Sequence, residues 1–295
     1  MTPLKKTFAT AWVAAGCLGL VQAQPLSVTP QAGRDPYQLA DWRQDVRATA
    51  WETGGLFAGA TLLGLNSWNW GSSNRFKVND EGWFRDDTGS GGSDKLGHAF
   101  ISYAITNVLS DRLVRQNVAP ERAALSAFLS TQALMTYVEV FDGYSDDHGF
   151  AKEDMAMNLL GSGLAYARAV QPGLRDTLDF RLEYVRSLNR NFRPISDYEG
   201  QKYLLALKFS GFDALRRTPL RFFELQTGYY SRGFSKVARE SGVIRTRENF
   251  VGIGVNVNEL LFGQRMPIET EDRNALRLFF EHLQPPGLAA RNRND

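Results

Sequence analysis

The hydrophobic pattern of the chain changes its period near residue 171, and this change limits the folds that the sequence can adopt. Before residue 171, apolar residues recur with the spacing of helices, and after it they alternate with the spacing of strands. The apolar fraction of 43% is that of an ordinary globular protein. We therefore expect an α+β protein, in which a four-helix bundle is followed by a small antiparallel β-meander.

Four helices are predicted in the first part of the chain. They cover Trp51–Leu65, Asp94–Gln116, Glu121–Phe141 and Lys152–Val170. Pro120 opens the third helix and Pro172 follows the fourth, which are positions where helices begin and end. None of them contains the roughly 18–20 consecutive apolar residues that a bilayer span requires. Small residues such as Gly161 and Gly163 favour close packing, so we expect these helices to pack together and to lie in part at a membrane surface.

Three strands are predicted in the second part of the chain, over Tyr203–Phe209, Arg221–Tyr230 and Phe250–Val257. The Arg-rich residues 168–193 are interpreted as a solvated or headgroup-facing surface, with an exposed helix or connector over 174–193. The predicted organisation is a signal peptide over 1–23, a linker over 24–48, the helical domain over 49–171, a connector and β-meander over 172–286, and a flexible tail over 287–295.

The N-terminus has the pattern of a secretory signal. Lys5 and Lys6 precede the uncharged apolar stretch Phe8–Val21, and Ala23 ends a small-residue cleavage site. A second interpretation is lipidation of Cys17, because Ala14-Ala15-Gly16-Cys17 resembles a bacterial lipobox. A third interpretation is an uncleaved anchor, for which the segment is short. All three interpretations export the chain, so we expect a periplasmic protein associated with the outer membrane.

Polar residues occur in pairs on three of the predicted helices. Asp94 and His98 are four residues apart, Glu139 and Asp142 are three apart, and Asp154 and Asn158 are four apart, so each pair shares one helix face. Short connections between the helices make convergence at one end of the bundle possible. Buried ionisable groups are costly unless they are paired. The sequence therefore predicts a buried polar network of Asp94, Lys95, His98, Glu139, Asp142, Asp154 and Asn158.

Three uses of this network remain open. Residues 139–154 contain six acids and one lysine, a net charge of −5, which favours a divalent cation held by His98, Glu139, Asp142 and Asp154. In a catalytic use, Asp94 orients His98 as an acid–base group, and Glu139 polarises water or binds the cation. In a structural use, the same residues fix the register of the helices.

The motifs around these residues resemble a known family. Asp94-Lys95-Leu96-Gly97-His98-Ala99-Phe100, Glu139-Val140-Phe141-Asp142-Gly143 and Asn79-Asp80-Glu81-Gly82 together resemble the YfiM-like family. The resemblance implies a periplasmic protein or lipoprotein of unknown function. A looser order of the same residues resembles the VanZ-like proteins, which implies a four-helix core associated with membranes.

Several classes of function lack support in the sequence. There is no Gly-x-Ser-x-Gly nucleophile motif and no phosphate-binding glycine loop of the Walker or Rossmann kind. The net charge of +2 comes from Lys5 and Lys6, so the exported chain is neutral and nucleic-acid binding is not expected. We expect an exported accessory or structural protein whose partner is a membrane surface or lipid. The alternative is a metal-assisted or histidine-dependent enzyme that acts on a lipid or cell-wall precursor.

Overall fold

The computed structural model describes residues 39–187, 194–263 and 271–292. The signal peptide, the cleavage site at Ala23 and the lipobox cysteine Cys17 lie outside the described residues. Within these ranges the chain forms two compact units. The helical unit contains residues up to 81 together with 101–170, and the sheet unit contains 82–100 together with residues from 171 onward.

The helical unit is built from α1 (Leu39–Ala48), α2 (Ala50–Ser67), α3 (Ser93–Arg115), α4 (Pro120–Asp142) and α5 (Lys152–Val170). Helix α3 is continuous, and its residues 93–100 are counted with the sheet unit. The four predicted helices are confirmed: Lys152–Val170 has the predicted ends, and the ends of the other three differ by one or two residues. The predicted linker over 24–48 is wrong in its last ten residues, which form α1. A short parallel pair, β1 (Val78–Asn79) with β2 (Phe150–Ala151), completes this unit.

Helices α2, α3 and α4 share an apolar core. Ile105, Leu109, Ala127 and Leu134 are buried together, with Leu56, Phe57, Ala60 and Ile101 packed against them. Two ion pairs add links between helices, from Arg112 Nε to Glu52 Oε1 at 2.7 Å and from Arg122 Nη2 to Asp45 Oδ1 at 2.6 Å. The VanZ-like four-helix bundle stays a prediction. Among the described helices, none combines the length and apolar character needed to cross a membrane.

The sheet unit contains a five-stranded antiparallel sheet whose order follows the chain. Its strands are β3 (Leu178–Tyr184), β4 (Gln201–Lys208), β5 (Phe223–Arg232), β6 (Thr246–Val255) and β7 (Ala289–Arg291). Single-turn helices α6 (Leu174–Thr177) and α7 (Asp213–Arg216), and the short helices α8 (Lys236–Glu240), α9 (Val257–Phe262) and α10 (Glu271–His282), lie in the connections. The predicted antiparallel meander is thus confirmed, and its three predicted strands correspond to β4, β5 and β6.

Two edge strands correct the prediction. Residues 178–184 lie in the expected exposed connector, yet they form β3, in which Arg181 is 1% exposed. Arg168 at the end of α5 is also buried, so the interpretation of 168–193 as a solvated surface is wrong at both positions. Residues 289–291 lie in the expected flexible tail, yet they pair with β6 as β7.

One face of the sheet buries charged groups, which we call the sheet network: Asp179, Arg181, Glu224, Gln226 and Gln284. Arg181 donates through Nη2 to Asp179 Oδ2 at 2.5 Å and through Nη1 to Glu224 Oε1 at 2.8 Å. Gln284, which follows α10, accepts from Arg181 Nη1 at 3.1 Å. Every acid of the sheet network therefore contacts a guanidinium.

Candidate metal centre

Helices α3 and α5 each present successive turns of one face to the candidate centre. On α3, His98 lies one turn before Ser102, and on α5, Asp154 lies one turn before Asn158. Ser102 Oγ donates to Asn158 Oδ1 at 3.0 Å, and both residues are fully buried. Because α3 is one unbroken helix, the position of His98 relative to this contact is fixed by helix geometry.

His98, Glu139 and Asp154 come together as the sequence predicted. Each offers one ligand atom, and these atoms all lie within 4.8 Å of one another. Two ligands of a single ion lie at most about twice the metal–ligand distance apart, which is roughly 4–5 Å for common divalent cations. The three side chains can therefore reach one cation with small adjustments.

The burial of the two carboxylates favours a bound cation at this site. Glu139 and Asp154 are 1% and 5% exposed, and the neighbouring Glu153 is 1% exposed. Glu139 Oε2 accepts from the backbone N–H of Ala151 at 3.5 Å, which directs its carboxylate towards the start of α5. Removing carboxylates from water is expensive unless opposite charge compensates it. The three side chains offer one imidazole nitrogen and two carboxylate oxygens. Because imidazole is a ligand of transition metals, this set suits Zn²⁺ or Mn²⁺ better than it suits Ca²⁺ or Mg²⁺.

Asp94 lies in a second group of possible ligands, together with Glu81 and Asp154. Its carboxylate accepts from Ser90 Oγ and lies 2.9 Å from the Nζ of Lys95, a lysine that is only 1% exposed. Burial raises the pKa of Asp94, but the charge of Lys95 and the hydrogen bond from Ser90 outweigh it, so the pKa is lowered. Asp94 is therefore held in its charged form, and Asp154 belongs to both groups.

Asp142 was expected to be a metal ligand, but in the structure it contacts a different group. Its Oδ1 accepts from Trp70 Nε1 at 2.6 Å, and it belongs to neither group of possible ligands within the described ranges. Trp70 is itself 5% exposed and packs on Tyr137 and Phe141. A Cβ at Gly64 would lie 2.1 Å from the Trp70 ring, so glycine is required there. Asp142 thus contacts an aromatic cluster in the helical unit.

Sequence reasoning missed two contributors to this region. Glu81 belongs to the Asn79-Asp80-Glu81-Gly82 motif, and this motif is the one signal that points to it. Ser102 has no signal, because a serine on an apolar helix is common and its partner Asn158 comes from a distant helix.

The comparison with protein families points to the same stretch of chain. Residues 80–170 match the model of a family described as predicted periplasmic lipoprotein (DUF2279). This range contains all the possible ligands named above, and the description agrees with the export predicted from the N-terminus. No curated protein and no solved structure matches the chain.

Proposed function

We propose that this protein is an exported cell-envelope protein with an accessory or structural role, held at a membrane surface by the exposed face of α2. The observation that supports the proposal most directly is this face. It consists of Trp51, Gly54, Gly55, Ala58, Leu62 and Leu65, which lie on one side of the helix at successive turns.

The α2 face is apolar along the whole helix and carries no charge. Trp51 is 90% exposed, and Leu62 and Leu65 are 59% and 60% exposed. Glu52 is the one charged residue of α2, and it is buried against Arg112. Large exposed apolar surfaces are rare on soluble proteins and mark interaction sites. An apolar helix face with a terminal tryptophan suits the headgroup boundary of a bilayer.

The position of α2 in the chain supports a membrane as the occupant of this face. The helix begins 27 residues after Ala23, with α1 between them, and either cleavage after Ala23 or lipidation of Cys17 is expected in the preceding N-terminal segment. The description of the matching family as periplasmic lipoprotein favours lipidation. An apolar helix face that lies in the headgroup region adds membrane affinity to that of a lipid anchor. The YfiM-like resemblance and an outer-membrane location fit this arrangement.

Cell fractionation tests the proposal. The full chain carrying Cys17→Ser, which removes the lipidation site, is expressed and separated into soluble and membrane fractions after a salt wash. We expect membrane association to fall several-fold when Leu62→Glu or Trp51→Glu is added. Ile244→Glu is the matched control, because Ile244 is an apolar residue of the sheet unit with 79% exposure. A freely soluble Cys17→Ser chain, or equal losses for the Leu62 and Ile244 variants, would contradict the proposal.

A second candidate function is cation-assisted catalysis on a lipid or cell-wall precursor. The specific observation in its favour is the convergence of His98, Glu139 and Asp154 within 4.8 Å. A cation held there lowers the pKa of a bound water and polarises a carbonyl or phosphoryl oxygen. The chain itself supplies the ligands, and Asp94 supplies a charged carboxylate on the same helix face as His98. The VanZ-like resemblance is in keeping with this class of substrate.

Cation binding can be measured without knowing the reaction. The full chain is stripped with a chelator, dialysed against Zn²⁺ or Mn²⁺, and its metal content is determined. We expect about one ion per chain, and at least a tenfold loss of affinity in Glu139→Gln, Asp154→Asn and His98→Gln. Asp142→Asn is the matched control, because Asp142 lies outside the ligand groups and should keep the affinity of the unaltered chain. A folded chain that binds neither ion would instead favour a purely structural network.

A further inference from the structure

The sheet unit contains an open cavity of about 580 Å³ at one end of the sheet. Its wall includes Arg186, Lys202, Tyr230 and Arg232, together with Glu199. This volume lies within the usual range for small-molecule sites, roughly 300–1,000 Å³. The cavity is independent of the candidate metal centre, since all of its wall belongs to residues after 184.

Arg232 is the most informative residue of the cavity. It is partly buried, and its Nη1 donates to the backbone carbonyls of Ser231 at 2.7 Å and Gln201 at 3.3 Å. Among the described residues it forms no ion pair, and its Nε and Nη2 donate no hydrogen bond. Burial lowers the pKa of Arg232. A guanidinium held in place by two carbonyls, with further donors towards a cavity, is a preformed half of an oxyanion site.

Lys202, a second cation of the wall, lies over the same aromatic ring as Arg232. Lys202 Nζ lies 5.3 Å and Arg232 Cζ lies 4.6 Å from the centre of the Tyr230 ring. Lys202 is also 3.4 Å from Glu183, but Glu183 is shared with Arg291 at 2.7 Å. Burial lowers the pKa of Lys202, and the charges of Arg291 and Arg232 lower it further against the opposing effect of Glu183.

The acidic wall residue does not neutralise these cations by direct contact. Glu199 accepts from the backbone N–H of Ser235 at 2.9 Å and from its Oγ at 2.7 Å, so its carboxylate is engaged at the start of α8. Arg186 is exposed at the rim of the cavity. We propose that this cavity binds a phosphate group, with Arg232 as the bidentate donor and Lys202 and Arg186 as supporting charges. The group belongs either to a free phosphate compound or to a phospholipid headgroup.

Phosphate titration of the purified full chain tests the site. The thermal midpoint is followed with increasing inorganic phosphate, at constant ionic strength balanced with chloride. We expect a saturable rise for the unaltered chain and at least a tenfold weaker response for Arg232→Gln. Lys202→Gln is the second variant, with circular dichroism as the check of folding, in case Arg232→Gln does not fold. Arg239→Gln is the matched control, because Arg239 is exposed on α8 and lies outside the cavity wall.

Vesicles distinguish the two sources of phosphate. Phosphatidylglycerol vesicles that bind the chain in an Arg232-dependent manner, with competition by inorganic phosphate, would identify a lipid headgroup. A phosphate response together with vesicle binding unaffected by Arg232→Gln would identify a free phosphate compound. The proposal is overturned if phosphate and chloride act equally on the unaltered chain, or if Arg239→Gln weakens the response as much as Arg232→Gln does.

Discussion

In the sheet unit, the buried acids Asp179 and Glu224 lie against the guanidinium of Arg181, whereas in the candidate metal centre Glu139 and Asp154 lie beside a histidine. The sheet network also holds Asp179 against Lys208 Nζ at 2.6 Å. Its positive charges are permanent, because arginine and lysine remain protonated at neutral pH. Histidine is the one common side chain that changes charge near neutral pH.

This difference separates a structural network from a candidate site. Arg181 bonds Asp179, Glu224 and Gln284, so the acids of the sheet network have a compensating charge from the chain itself. The metal centre instead gathers ligand atoms of His98, Glu139 and Asp154, which are groups that an exchangeable cation can join. Buried charge alone therefore does not identify function in this protein. The chemistry of the compensating group does.

The largest expected loss of folding stability comes from removing the positive charge of Arg181. Arg181→Met leaves Asp179 and Glu224 buried without their guanidinium, and breaking a buried ion pair in this way costs about 3–5 kcal/mol. Urea unfolding of the full chain measures the loss. Arg239→Met, at an exposed arginine, is the control and should stay within about 0.5 kcal/mol of the unaltered chain.

A second substitution should restore part of the stability that Arg181→Met loses. In Arg181→Met, Asp179 keeps its ion pair with Lys208, whereas Glu224 loses its guanidinium. Adding Glu224→Gln removes that buried negative charge, so the double variant should be more stable than Arg181→Met alone. A loss below about 1 kcal/mol for Arg181→Met would show that the ion pairs of Arg181 do not stabilise the fold as expected.

The sequence could not reveal the sheet network for a specific physical reason. In β3 the apolar residues Phe180, Leu182 and Tyr184 alternate with Asp179, Arg181 and Glu183, and alternation of this kind ordinarily indicates an exposed polar face. Here the polar face is buried, since α10 contacts β3 and Gln284 bonds Arg181. The strands β4, β5 and β6 have 8, 10 and 10 residues against 7 in β3, and a longer strand pattern is easier to recognise in a sequence.

The residues of the candidate metal centre were more predictable than those of the sheet network, because helix geometry shows which residues share a face. Spacing identifies residues that share a face of one helix, and the short connections between the helices then favour grouping His98, Glu139 and Asp154 in one predicted set. Spacing does not determine how each helix is rotated against its neighbours. Asp142 shows this limit, because its place at the end of α4 brings it to Trp70 and not to Asp154.

A smaller effect is expected when one ligand of the metal centre is neutralised. In the chelator-treated protein, Glu139→Gln removes one of two neighbouring buried carboxylates, which relieves desolvation cost and like-charge repulsion. We expect the free energy of unfolding to change by no more than about 1 kcal/mol, in contrast to Arg181→Met. At a cation concentration of 100 times the Kd of the unaltered chain, that chain should gain about 2.7 kcal/mol, and Glu139→Gln, which binds at least tenfold more weakly, should gain no more than about 1.4 kcal/mol. A large loss without cation would assign Glu139 to a structural network like that of the sheet.

The smallest expected effect is on the pH dependence of stability, and it should have opposite signs for Glu224 of the sheet network and for Asp94 beside the metal centre. Burial raises the pKa of Glu224 above its ordinary value of 4.5 despite the charge of Arg181, so its contribution to stability is present below pH 4.5 and is lost as the pH rises through the folded-state pKa. The pKa of Asp94 is lowered from 3.8, so its contribution is present above that pH and is lost as the pH falls through the folded-state pKa.

Urea unfolding across this acidic range, compared among the unaltered chain, Glu224→Gln and Asp94→Asn, separates the two contributions. Relative to the unaltered chain, Glu224→Gln should gain stability as the pH rises above 4.5, because it lacks the carboxyl that must ionise while buried. Asp94→Asn should gain relative stability as the pH falls below 3.8, because it lacks the carboxylate whose contacts with Lys95 and Ser90 are lost on protonation. Parallel pH profiles for all three proteins would contradict both assignments, since neither acid would then differ between the folded and unfolded chain.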